Sequence, residues 1–141
     1  MLHNRSLLAC CFVILALAGF FDVFVGSQTR GEEPVDFVRD IKPIFKAHCE
    51  FCHGNLKAES GLRLDYSGGI QAGGDNGAAI DSEDWNHSRL WLAIRGEATD
   101  VSRMPLESEP LSESEMMLIE RWLEQGAFMP EEEKPQDPLQ H

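Results

Sequence analysis

Basic residues are scarce in this chain. Twelve Lys and Arg stand against 24 Asp and Glu, giving a formal charge of −12. An acidic surface of this kind repels phosphate backbones and excludes nucleic acid as a partner. Cysteine is scarcer, with four in 141 residues, and Cys10 and Cys11 fall inside an apolar N-terminal run. No internal repeat is present. Alternation of strand and helix patterns is also missing, which removes the setting a thioredoxin-like thiol pair needs. What is present suits one ordinary domain: 43% hydrophobic residues supply a core, and 26% charged residues fall short of wholesale disorder.

The first 27 residues read as an address. Arg5 precedes an apolar stretch over residues 7–25, and Val25-Gly26-Ser27 offers small residues for cleavage. This describes a secretory signal over residues 1–27. The alternative is an uncleaved anchor; 19 positions approach a membrane span, but Asp22 would be costly in lipid. Removing the segment takes one acid (Asp22) and one base (Arg5), so the charge stays at −12. Cys49 and Cys52 are then the remaining cysteines. The expected location is periplasmic or otherwise extracytoplasmic, membrane-associated only if the segment is retained.

Residues 28–35 are polar and serve as a linker. Phe37, Val38, Ile41, Ile44, Phe45 and His48 then fall on one helical face, with Asp36 as N-cap. Pro43 is the misfit, and requires either a bend or a turn preceding a helix that starts near Lys42. Between residues 54 and 80 lie seven glycines, and the segment GGIQAGGDNGAAI is read as turn chemistry. Leu62 and Leu64 hint at a short extended piece. Residues 88–95 predict a short helix closed by Gly96. Ser112 and Glu115 form a capping-box pattern ahead of the stripe Met116, Ile119, Trp122 and Leu123, with Gly126 as the stop. The domain is expected over 36–129, followed by an acidic disordered tail over 130–141. The pattern as a whole is a small all-α domain.

Cys49-Glu50-Phe51-Cys52-His53 is the C-x-x-C-H haem-attachment pattern. Two thiols add across the vinyl groups of one porphyrin edge, and the adjacent imidazole becomes the proximal iron ligand. The competing readings are a structural disulfide and half of a zinc site, which would need His48 and His87 to complete it. For the sixth iron position the candidates are Met104, Met116, Met117, Met129, His48, His87 and His141. Met104 stands out because it lies in a loop before Pro105, where no packing period claims it; Met116 already belongs to a helical stripe. Trp91 and Trp122 are expected in the core or as pocket walls. Arg63 or Arg95 could face a haem propionate, although a solvated arginine is the simpler expectation for each. Asp65, Asp75 and Asn76 do not match a calcium loop and are read as turn formers.

Several segments together resemble the planctomycete-type cytochrome c domain. They are Phe37-Val38-Arg39-Asp40-Ile41-Lys42-Pro43-Ile44, the run C-E-F-C-H-G at 49–54, and Gly61-Leu62-Arg63-Leu64-Asp65. Gly73-Gly74-Asp75-Asn76-Gly77, Ser88-Arg89-Leu90, Met104-Pro105 and the R-W-L-E-Q-G-A ending belong to the same likeness, which covers roughly residues 36–127. One departure is Leu106, where the family often has a second proline. The resemblance implies a small cytochrome c-like domain of three or more helices around one covalently attached haem c per chain. It implies Cys49 and Cys52 as attachment points, and His53 and Met104 as axial ligands.

The function expected from these readings is single-electron transfer by an exported monohaem cytochrome, not catalysis. Its partners would be redox proteins with a basic docking face; no substrate is identified. The alternatives are a haem-based sensor or enzyme with an open sixth position, and a non-redox docking module.

Overall fold

The computed structural model describes residues 33–135. The expected signal peptide, most of the linker and the last six residues lie outside them. Among the described residues there are four α-helices and no β-strand: α1 (Lys42–His48), α2 (Ser67–Ala72), α3 (Arg89–Arg95) and α4 (Glu113–Glu124). None is long and apolar enough to cross a membrane. The all-α expectation holds.

The entry to α1 resolves the misfit at Pro43. A wide, π-type turn over Phe37–Ile41 comes first, and the proline occupies the first turn of α1. There its missing N–H removes no helical bond. Asp36 caps the wide turn, its Oδ1 accepting from the Arg39 N–H at 2.7 Å, while Asp40 Oδ2 accepts from the Asp36 N–H at 2.9 Å. The wide turn places Phe37 and Ile41 inside, and α1 adds Ile44 and Phe45.

Helix α4 begins as the capping box predicts. The Glu115 N–H donates to Ser112 Oγ at 3.3 Å, and the Ser112 N–H donates to Glu115 Oε2 at 2.8 Å. Ile119, Trp122 and Leu123 are its buried face. Phe37, Phe45 and Trp122 then meet as an aromatic triad, with ring centroids 5.7–6.4 Å apart. Such contacts join the first and last helical elements, neither of which would persist alone at these lengths. Gln125 Oε1 reinforces the junction by accepting from the Val35 N–H at 2.8 Å.

The glycine-rich segment is not all turn. Residues 67–72, containing Gly68 and Gly69, form α2. A Cβ on Gly69 would stand 2.7 Å from both the Arg63 Cβ and the Tyr66 ring. The helix therefore exists because its glycines admit that close approach, a tertiary effect that outweighs poor propensity. Leu62 and Leu64 are extended, but join no sheet; Leu64 is buried and its N–H donates to the His53 carbonyl at 2.7 Å.

Around residues 130–133 the chain is bonded back to the domain. Ser67 Oγ donates to the Pro130 carbonyl at 2.6 Å, the Ser67 N–H donates to Glu133 Oε2 at 2.8 Å, and Lys42 pairs with the same carboxylate.

Candidate haem-attachment site

The attachment motif occupies the turn that ends α1. The Cys49 N–H donates to Phe45 O at 2.8 Å, so Cys49 closes the helix. The N–H groups of Cys52 and His53 both donate to the Cys49 carbonyl, at 3.1 and 2.8 Å. One carbonyl thus gathers both thiol-bearing residues and the imidazole-bearing residue onto a single helical turn. The far side is fixed as well: Cys52 O accepts from the Glu59 N–H at 3.0 Å, and His53 O accepts from Leu64. Gly54 makes this folding possible. A Cβ there would lie 2.3 Å from the Glu50 carbonyl oxygen, well inside contact distance.

Cys49 and Cys52 are free thiols, not a disulfide. Cys49 packs against the main core, and burial, with Glu50 and Cys52 adding to it, pushes its thiol up to about 12. His53 Nδ1 is buried and has no hydrogen-bond partner among the described residues. Glu50 Oε1 is likewise buried and unpartnered, and desolvation raises the Glu50 carboxyl, with Asp65 acting in the same direction.

Met104 lies on the loop between α3 and α4. It is half-buried against the same core that supports Cys49, and its N–H donates to the Ala93 carbonyl at 2.9 Å. Met116 and Met129 are also half-buried on that core, whereas Met117 is mostly exposed. The backbone tether to α3 is what marks Met104. His48 Nε2 sits 2.9 Å from Glu115 Oε1, and His87 Nδ1 sits 2.8 Å from Asp84 Oδ2. Both side chains have structural partners; His141 lies outside the described residues. Among the described residues no group of three or more His, Cys, Asp or Glu side chains is placed to hold a metal ion.

Arg63 differs from the simple expectation, whereas Arg95 is exposed as expected. Arg63 is not a solvated arginine: it pairs with Asp65, which is 2% exposed, and lies over the Tyr66 ring at 4.9 Å. Burying Asp65 requires that countercharge, and no periodic signal in the sequence announces it. Arg95 lies 5.4 Å from the Trp91 ring centroid and pairs with Glu97. A groove of about 610 Å³ between the segment around residue 81 and α3 is lined by Asp81, Glu83, His87, Arg89, Glu97 and Asp100, away from the cysteine motif in sequence.

Two unpaired thiols and an imidazole on one turn, with a buried ring nitrogen lacking a protein partner, fit a covalently held haem. That donor set, on a small helical frame, is the one a c-type haem attachment pattern requires. Residues 49–107 match the family model described as Planctomycete cytochrome C. The matched family model is one whose description implies haem c. The match opens on Cys49 and closes just past Met104, so it spans both expected ends of the iron site. No curated protein and no solved structure matches the chain.

Proposed function

We propose that this protein is an exported monohaem c-type cytochrome that carries single electrons. Cys49 and Cys52 would hold the porphyrin through two thioethers, each S–H adding across one vinyl group. His53 and Met104 would supply a nitrogen and a sulfur to its iron. Haem c, when bound, supplies an iron that alternates between ferrous and ferric states.

The observation that carries this reading is the turn on which the Cys49 carbonyl holds both Cys52 and His53. It sets both thiols and the imidazole on one short turn. The tether from Met104 to Ala93 supports the distal role, because it holds the thioether-bearing loop against a core helix. Were His53 and Met104 both to hold the iron, no position on it would be left for a substrate, which supports the carrier reading over an enzyme or sensor. The apolar, cleavable-looking N-terminus supports export to the periplasm, where c-type attachment is made. The charge of −12 supports a redox partner with a basic face.

The test is expression of the full chain with a c-type maturation system, followed by a pyridine haemochrome assay and intact mass. One haem per chain that survives acid-acetone extraction is expected. Complete extraction of haem, or a mass without it, would refute the reading. Cys49→Ala and Cys52→Ala should each lower the yield of attached haem.

A further inference from the structure

Three side-chain polar atoms are buried without a hydrogen-bond partner among the described residues: Glu50 Oε1, His53 Nδ1 and Trp91 Nε1. Buried polar groups in folded proteins are almost always paired, so each of these calls for a partner. Two of the three lie on the attachment turn itself, and their chemistry is complementary. A carboxylate oxygen accepts, and an imidazole nitrogen that carries a proton donates.

The turn brings the two residues side by side. The His53 N–H donates to the Cys49 carbonyl at 2.8 Å. Glu50 and His53 stand three positions apart within the turn that this bond closes, a spacing that makes side chains neighbours on a helical surface. The other charged groups acting on Glu50 are committed elsewhere or exposed. Asp65 is paired with Arg63, Lys42 is paired with Glu133, and Lys46 is exposed. Asp65 is thereby spoken for as an acceptor, and Glu50 is the carboxylate left for Nδ1.

A neutral imidazole that gives Nε2 to a metal keeps its proton on Nδ1, and ligating histidines generally donate that N–H to a carboxylate, a carbonyl or water. We propose that Glu50 is the positioning residue of His53, its carboxylate accepting the Nδ1–H when Nε2 is committed to the haem iron. Neither atom is bonded in the structure, so the pair closes by side-chain rotation within the turn. The bond would hold the ring in one tautomer and one orientation. A carboxylate acceptor also increases the basicity of the imidazole and so favours ferric iron, which a neutral backbone carbonyl does less. This assignment rests on the haem reading above, and it concerns how the proximal ligand is held, not whether haem is attached.

The test uses the full-length ferrous holoprotein labelled with ¹⁵N-histidine, with carbon monoxide added if the iron is high-spin so that the sample is diamagnetic. The His53 ring is recognised by its haem ring-current shift. The expected result is a protonated Nδ1 whose proton makes a through-space contact with the Glu50 γ-methylene protons. A proton that contacts only water, or only other residues, would overturn the assignment. Reduction potential is the second readout, because a side chain that merely packs would change melting without moving it. At a fixed ambient potential, Glu50→Gln should raise the ferrous-to-ferric ratio by roughly threefold or more, as exchanging a charge-assisted hydrogen bond for a neutral one requires. Glu50→Ala should move the ratio in the same direction. An unchanged ratio in both variants would also overturn the assignment; if neither variant retains haem, the wild-type contact decides. Covalent haem in the wild-type sample would leave the cytochrome reading standing whatever Glu50 does; a wild-type chain without haem would overturn both.

Discussion

Met104 hangs from Ala93. Its backbone N–H donates to the carbonyl of that residue across 2.9 Å, so the loop after α3 is held to the helix at this residue. A core helix is thus the support of a proposed iron ligand.

Met104→Ala should retain covalent haem, lose the weak near-infrared band of sulfur-to-iron coordination, and admit carbon monoxide to the ferrous iron. Met116→Leu, a volume-conserving change on a half-buried face, should keep the band and cost less than about 1.5 kcal/mol. Near-infrared absorbance of the ferric protein separates the two. Loss of the band in Met116 or Met129 variants instead would reassign the ligand.

Gly54→Ala should be among the most damaging small substitutions in the domain. The new Cβ would lie 2.3 Å from the Glu50 carbonyl oxygen, and the backbone of the 49–53 turn would have to open to relieve it. The expected outcome is poor haem incorporation and a destabilisation above about 2 kcal/mol, in the range of overpacked sites. Haemochrome yield and thermal melting measure both. A variant with normal yield and melting would show that the turn is pliable.

The cap of α4 predicts a pH dependence. Hydrogen bonds from Ser112, side chain first and backbone second, lower the Glu115 carboxyl, and His48 adds to the effect. A folded carboxyl held below its ordinary value contributes its full stability above that value. The contribution disappears as the pH falls through the folded one. Ser112→Ala should cost about 1 kcal/mol at neutral pH. Glu115→Gln should flatten the acid limb of a stability–pH profile measured by denaturant unfolding; an unchanged limb would remove Glu115 from the account.

Two truncations separate structure from charge at the C-terminus. Deleting residues 134–141 spares Glu133 and should leave melting unchanged. Deleting residues 131–141 removes the partner of Ser67 and Lys42 and should lower the melting temperature. Stopped-flow electron transfer to a basic redox partner should slow with added salt in every form, since screening weakens complementary charge. A rate that rises with salt would indicate an acidic or apolar docking face.

Legibility from sequence followed the reach of each signal. The capping box of α4 is local, involving Ser112 and Glu115 three positions apart, and it stands in the structure as written. Cys49, Cys52 and His53 are equally local, and their shared turn follows from adjacency. Pro43 was half legible: the proline marked where α1 had to begin, but the wide turn before it depends on burying Phe37 and Ile41 together. Helix α2 was illegible because Gly68 and Gly69 are poor helix formers until Arg63 and Tyr66 approach. Glu133 was illegible for a related reason, since an acidic run has no period and its bonds go to residues more than sixty positions away. The unpaired indole of Trp91 likewise depends on which acceptors the folded chain leaves near it.

The aromatic triad has a consequence for biogenesis. Phe37 and Phe45 lie close to Cys49 in sequence, yet the ring that completes their packing, Trp122, is translated long after the cysteines. Until it arrives, the aromatic packing around Phe37 and Phe45 is incomplete. Once it docks, Cys49 is packed against the interior and its thiolate is suppressed. The same closure that organises the attachment turn thus withdraws one of its two nucleophiles. On the proposed reading, cofactor attachment belongs to the interval before α4 docks, so the maturation machinery meets an open chain and the finished domain seals the product.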